Sequence, residues 1–301
     1  MTATGSRAIG LDIGATKTLG VLVDADGRVL EQVREATEPG ADGVVRTAQL
    51  VVSHLGAATS VGLGIPGLVD VELGAVKHAV NLGVDGEWLP LRAELEARLG
   101  VPVAVENDVN VATLGAVALT GIRDLVYLSI GTGLAAGLVL DGTLRRGATG
   151  AAGEIGHVPI DPLGSVCQCG QRGCLETVAS GRALAEAWPS APGPHSEPPA
   201  QALFAAAAAG DPRAVEVRDR FAAGVADAVR TLCLSVDPAT IVLGGGVSHL
   251  GAALVAAVAD ALRAQAASSP FLASLDLAGR IRVVPDDQPV AAIGAALLGR
   301  T

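Results

Sequence analysis

Apolar residues fall into short runs punctuated by glycine turns, and one such pattern occurs twice. Residues 8–13, Ala-Ile-Gly-Leu-Asp-Ile, are apolar apart from Asp12 near the end, which predicts a buried strand. A small-residue turn, Gly14-Ala15-Thr16-Lys17-Thr18, leads into a second apolar run, Leu19–Val23, that closes on Asp24-Ala25-Asp26-Gly27. This reads as strand, tight turn, strand. Such a turn exposes backbone N–H groups to an anion, while an acid beside it can hold a hydrated Mg²⁺. The pattern returns downstream: Val126–Asp141 aligns on Ile9–Asp24 without a gap, every pair offset by 117 positions, with Gly14 on Gly131 and Gly20 on Gly137. A match of this kind predicts two domains of one ancestral design, each presenting a phosphate loop to a shared nucleotide cleft. Two unrelated hairpins with similar glycine turns are the alternative.

Between and beyond the repeats the periodicity predicts further elements. Val61–Asp70 reads as a buried strand ending in a Pro66-Gly67 turn, and Asn81–Trp88 as a glycine-containing loop. Leu91, Leu95 and Leu99 share a face of a helix over 91–99, stopped by Gly100 and Pro102. Val101–Val105 predicts a strand and Val109–Leu119 a helix, with Asn107 and Asp108 at the junction. Both are good N-cap types, so capping alone is one reading; open α/β sheets also place ligand groups at the carboxyl ends of strands. Arg182–Trp188 predicts a helix, and Pro189–Pro199 a proline-rich loop in which His195 is solvated. Asp211-Pro212 opens a helix to about Val236, with Cys233 in the core. Thr240–Leu243 predicts a strand, followed by Gly244-Gly245-Gly246, a turn for side-chain-free backbone that can lie flat against an adenine or ribose. A small-residue helix over Pro289–Leu298 is expected to pack back on the first domain. The expected division is 1–115 plus 289–301 against 116–288.

Composition narrows the partners. The 301 residues are half hydrophobic with very few aromatics, so alanine, valine, leucine and glycine must do the packing by close backbone approach. With 21 basic against 31 acidic side chains the net charge is −10, which argues against nucleic acid and against an anionic membrane surface. Asp260 and Arg263 interrupt the apolar run Gly251–Ala267, so it predicts an amphipathic or buried helix and not a membrane span. A cytoplasmic protein is expected, since the start of the chain carries no secretory pattern.

The sharpest chemistry lies between the repeats and the last helices. Cys167, Cys169 and Cys174 fall within eight positions, interleaved with glycines, and His157 stands upstream in Gly153-Glu154-Ile155-Gly156-His157. Three cysteines and one histidine supply a closed tetrahedral zinc site. A disulfide with a spare thiol, or three buried thiols acting as small apolar groups, are the alternatives. Glu154 and Glu176 bracket the cluster, and their carboxylates can accept hydrogen bonds from a polyol.

Asp12-Ile-Gly-Ala-Thr-Lys-Thr18, Glu106-Asn-Asp108, Gly153-Glu-Ile-Gly-His157 and Cys167-x-Cys169-Gly-x-x-Gly-Cys174-x-Glu176 together resemble the ROK (repressor, open reading frame, kinase) family of sugar kinases, over nearly the whole chain. The resemblance implies an α/β fold of two actin-like (ribonuclease H-like) domains flanking a nucleotide and sugar cleft. It implies an ATP-dependent, glucokinase-like hexose 6-kinase with ATP, Mg²⁺ and structural Zn²⁺. Asp108 would be the catalytic base, acting mainly to orient the 6-hydroxyl; Asn107, Glu154, His157, Glu176 and Gly67 would bind the sugar. His157, Cys167, Cys169 and Cys174 would hold zinc. Asp12, Gly14, Thr16, Lys17, Gly131, Thr132, Gly133, Gly244 and Gly245 would hold ATP and its Mg²⁺. The expected partners are a small-molecule hexose and ATP, with no nucleic acid or membrane, in a homodimer.

The sequence departs from the family pattern at two places. Ala135 replaces a usual glycine in the second phosphate loop, and Asn81–Trp88 is longer and more acidic than usual, adding Asp85 and Glu87. A solvated variable loop is the plainer reading; acids there would alternatively favour an amino sugar over glucose. A repressor of the family would need a helix-turn-helix ahead of the first strand, where only seven residues precede Ala8; a non-catalytic sugar sensor would need no base at Asp108.

Overall fold

The structure, a computed structural model, describes residues 6–189, 197–285 and 288–300; His195 lies outside the described residues. The apolar runs of the first half become β1 (Ala8–Ile13), β2 (Lys17–Val23), β3 (Val29–Ala36), β4 (Ser60–Ile65), β5 (Leu68–Asp70), β6 (Ala75–Lys77) and β7 (Val103–Asn107). The second half supplies β8 (Leu125–Ile130), β9 (Leu134–Leu140), β10 (Thr143–Leu144), β11 (Thr240–Gly244) and β12 (Ile281–Val283). One sheet has the order β3-β2-β1-β4-β7 and the other β10-β9-β8-β11-β12, while β5 and β6 form a separate hairpin. In the first sheet β1 is antiparallel to β2 and parallel to β4, which is parallel to β7. In the second, β8, β11 and β12 are likewise parallel. The two sheets thus repeat one actin-like topology, as the internal match between β1–β2 and β8–β9 predicts.

The helices are α1 (Ala41–Leu55), α2 (Leu91–Leu99), α3 (Asp108–Thr120), α4 (Glu176–Ala179), α5 (Gly181–Ala187), α6 (Pro199–Ala208), α7 (Pro212–Val236), α8 (Ala252–Ala266), α9 (Pro270–Ser274) and α10 (Val290–Leu298). Among the described residues none is long and apolar enough to cross a membrane. By contacts the chain divides into two compact units. One comprises Met1–Arg123, Gly137–Ala152 and Gln288–Thr301; the other comprises Asp124–Ala136 and Gly153–Asp287.

In the first unit, Leu91 and Leu95 of α2 are buried as their spacing predicts, and Val44, Ala48, Val51 and Leu55 of α1 join the same core. The scarcity of aromatics is met at α10, which packs backbone to backbone. A Cβ at Gly10 would stand 1.9 Å from the Ala292 carbonyl oxygen, and one at Gly294 1.8 Å from that of Val111. Only a hydrogen fits at either position, so α10 sits flush on β1 and α3. In the other unit, Asp211 caps α7 by accepting from the Arg213 and Ala214 N–H groups, and Cys233 is buried on α7.

Some bounds differ from expectation for physical reasons. The strand read as Val101–Val105 runs over Val103–Asn107, because parallel pairing with β4 continues through Gly64↔Glu106 and Ile65↔Asn107. Pro198 and Pro199 start a helix instead of continuing a loop, since proline fits the first helical turn, where no N–H is needed.

Candidate active site and metal centre

Three carboxylates gather where parallel strands of the first sheet end. Asp12 on β1 is level with Gly64 on β4, and Gly64 with Glu106 on β7. Beyond Glu106 the chain turns directly into α3, and the Asp108 Cα lies 3.5 Å from where a Cβ at Gly64 would stand. Asn107 is the N-cap: its Oδ1 accepts from the N–H groups of Val109 at 2.9 Å and Asn110 at 3.4 Å. Its Nδ2 donates to the Gly67 carbonyl at 3.4 Å. Asp108 Oδ1 also accepts from the Val109 N–H, at 2.9 Å. Capping is therefore realised at Asn107, which also bonds the Gly67 carbonyl and directly precedes Asp108. Burial, and then the Asp108 charge, push the Asp12 carboxyl up to about 6, while Lys17 pulls it down. A carboxylate opposed by desolvation and a like charge is a fitting ligand for a hard divalent cation.

The glycine turns are tightly determined. In the first, the Gly14 N–H donates to the Lys17 carbonyl at 3.0 Å, leaving Ala15, Thr16 and Lys17 exposed. In the second, the Gly131 N–H donates to the Gly133 carbonyl at 3.0 Å, and Thr132 is exposed. Glu176 supports this second turn: its Oε2 accepts from the Leu134 N–H at 3.1 Å, and its Oε1 pairs with Arg182 at 2.7 Å. Of the three glycines that close β11 and follow it, Gly244, Gly245 and Gly246, two are required. A Cβ at Gly244 would lie 2.0 Å from the Tyr127 ring, and Gly245, at φ 78°, abuts the Ile130 backbone; Gly246 meets nothing within 4 Å.

His157, Cys167, Cys169 and Cys174 converge, their ligand atoms all within 4.8 Å of one another. The Cys167 Sγ lies 3.8 Å from His157 Nδ1, and the Cys169 and Cys174 sulfurs are 3.7 Å apart. These are about the edge lengths of a tetrahedron with 2.3 Å metal–sulfur bonds, far longer than a disulfide. A turn closed by the Gly170 N–H on the Cys167 carbonyl presents the first two sulfurs, and Gly173, with no room for a Cβ against Asp161, brings in the third. Gln171 holds the Cys169 thiol down to about 6, through its backbone first and then its side chain, while burial and the neighbouring sulfurs push Cys174 up to about 12. The donor set fits a thiophilic cation, because several thiolates at this spacing repel one another until a metal lies between them. With Nδ1 facing the sulfurs, the other ring nitrogen, Nε2, stands 3.8 Å from Glu154 Oε2. Glu154 is exposed.

The model described as ROK family matches residues 8–301. The chain belongs to the ROK family. The glucokinase of Thermotoga maritima is 37% identical over 265 residues, which cover 81% of this chain and 83% of that protein. The N-acetylmannosamine kinase of Citrobacter koseri is 34% identical over 245 residues, or 79% of this chain and 83% of that one. Among solved structures, a ROK family glucokinase from Streptomyces griseus, in complex with glucose and AMPPNP, matches with a TM-score of 0.79 at 31% identity, covering 98% of this chain and 99% of that one.

Within this ROK chain the structure adds residues that sequence reasoning passed over. Arg182 neutralises Glu176, and Arg146 pairs with Glu106 at 2.5 Å. Glu106 was legible in principle, since an acid continuing the apolar run Val103-Ala104-Val105 must find a partner if buried. Arg146 carries no such local signal.

Proposed function

We propose that this ATP-dependent sugar kinase transfers the γ-phosphoryl group of ATP to the 6-hydroxyl of glucose or a glucose analogue. The observation that carries the reading is the placing of Asp12, near the carboxyl end of β1, close to Asp108, which follows the carboxyl end of β7 two strands away in the same sheet and is held at a helix N-terminus. Asp108 orients the hydroxyl and takes its proton late in a loose transition state, where positioning matters more than basicity. Asn107 and Gly67, already joined by a hydrogen bond, bind the sugar with Glu154, His157 and Glu176. Asp12 is the residue for Mg²⁺, which when bound neutralises phosphate charge. Lys17, Thr16 and the turns at Gly14, Gly131–Gly133 and Gly244-Gly245 hold the nucleotide. His157, Cys167, Cys169 and Cys174 would hold zinc, which when bound would fix the imidazole tautomer, so that His157 could present Nε2 to a sugar hydroxyl.

An amino-sugar substrate is the second reading. Asp85 and Glu87 are exposed in the loop before α2, and His78, at φ 56°, is drawn to Asp85 with Nδ1 3.3 Å from Oδ1. That pair offers both an acid and an acceptor to an amine or N-acyl group. A hexose panel with ATP, scored by kcat/KM through ADP release, tests both readings. Glucose turned over as well as or better than glucosamine and N-acetylmannosamine supports the first; preference for an amino sugar supports the second; no ADP release with any hexose overturns both.

A further inference from the structure

Glu106 is 2% exposed, and both its carboxylate oxygens are engaged. Oε1 accepts from the Asn107 N–H at 2.9 Å and from Asn110 Nδ2 at 2.9 Å, while Oε2 accepts from Arg146 Nε at 2.5 Å. The first two bonds grip the chain on either side of Asp108. Arg146 is itself fixed at the neck of a loop closed by the Ala152 N–H on the Arg146 carbonyl at 3.1 Å, with Gly147 at φ 77° making the turn. β7 is the last strand of its sheet, so no neighbouring strand pins its far edge where it turns into α3.

We infer that the Glu106–Arg146 ion pair is a positioning device for Asp108, setting the angle at which α3 leaves β7. This rests on the reading of Asp108 given above. Buried ion pairs contribute little net stability compared with apolar replacements of the same size, and their best attested use is to specify one arrangement. Here the arrangement specified is that of a residue in line with the reacting hydroxyl. Misplacement by about 1 Å at such a position costs up to about a hundredfold in rate. Arg146 acts through Glu106, and Glu106 through the backbone N–H of Asn107 and the side chain of Asn110.

The test compares D108N, R146A, E106Q and the E106Q/R146A double variant in kcat and in KM for ATP and glucose, with thermal melting alongside. R146A is expected to lose between about tenfold and a hundredfold in kcat with KM for ATP within about twofold. Millimolar guanidinium ion should restore much of that loss in R146A and none in E106Q/R146A, because the cation refills the space beside an intact Glu106 carboxylate. A purely structural role lowers the melting temperature without a saturable rescue that depends on Glu106. Should R146A fail to fold, R146K keeps the charge but loses the Nε–H donor, and a several-fold loss of kcat is expected there. Near-normal kcat in R146A or R146K beside an inactive D108N overturns the positioning role alone, as does a loss in R146A that guanidinium leaves unchanged. Near-normal kcat in D108N overturns the reading of Asp108 and this inference with it.

Discussion

In the proposed mechanism Asp108 and Asp12 carry most of the chemistry, and their roles are separable by experiment. Asp108→Asn keeps the size of the side chain and the oxygen that accepts from the Val109 N–H, so sugar binding should persist while kcat falls by about 10²–10⁴. Calorimetric titration with glucose, set beside turnover, checks it; near-normal kcat rules out Asp108 as the base. Asp12 gives a pH signature. Its folded-state value of about 6 lies above the ordinary 3.8, so the ionised carboxylate costs stability above about pH 6, and the cost fades as pH falls towards 3.8. In the absence of nucleotide and Mg²⁺, Asp12→Asn should therefore melt higher than wild type at pH 8, by on the order of 1–3 kcal/mol. That advantage should vanish near pH 4, and an equal advantage at both pH values would contradict the raised pKa. Both residues stand out in the sequence, one as an acid in an apolar strand and one beside a strand end. The partners of Glu106 needed the structure, since Arg146 lies forty residues away.

At the scale of elements, two features are exposed to test. The contact of α10 with α3 depends on Gly294, whose Cβ would strike backbone that cannot rotate away. Gly294→Ala should cost about 1–3 kcal/mol or more, whereas Gly246→Ala, with nothing within 4 Å, should stay within about 0.5 kcal/mol; chemical denaturation of the two variants measures the contrast. The His157, Cys167, Cys169 and Cys174 cluster, the proposed zinc site, is the second. Structural zinc is worth about 10–16 kcal/mol in small peptides, so its removal should loosen the segment from His157 to Cys174 and lower sugar affinity by about tenfold to a hundredfold. Metal analysis together with glucose titration after chelation checks this, and unchanged affinity in metal-free protein separates the cluster from the sugar site. α2 and α7 were legible because leucine spacing marks one and an Asp-Pro cap the other. α1 and β3 were not assigned, although Val44, Ala48, Val51 and Leu55 keep helical spacing; β3 is largely exposed at a sheet edge, so it lacks the apolar run that marks a strand.

Over the whole molecule, one topology is used twice, and only the first copy of its turn carries the acid. Ligands that bind the folded protein stabilise it by mass action, about 2.7 kcal/mol at a hundredfold excess over Kd. Glucose together with a non-hydrolysable ATP analogue and Mg²⁺ should thus raise the melting temperature by several degrees more than either alone; a shift with neither would remove the basis for the kinase reading. The sequence by itself determined the duplication, the four-residue histidine and cysteine cluster and the identity of the acids, because each is a local pattern of residue types at fixed spacing. Tertiary structure alone decided which carboxylates meet. Asp12 and Asp108 lie 96 residues apart in sequence; strand register brings Asp12 level with Glu106, and the turn of β7 into α3 places Asp108 just beyond, which no local pattern encodes. It also decided that Glu176 braces the Gly131–Gly133 turn, that Gly244 and Gly245 are spoken for by Tyr127 and Ile130, and that an arginine with no motif around it anchors the strand end from which Asp108 projects. Such contacts join residues distant along the chain, and only the packed core sets their distances.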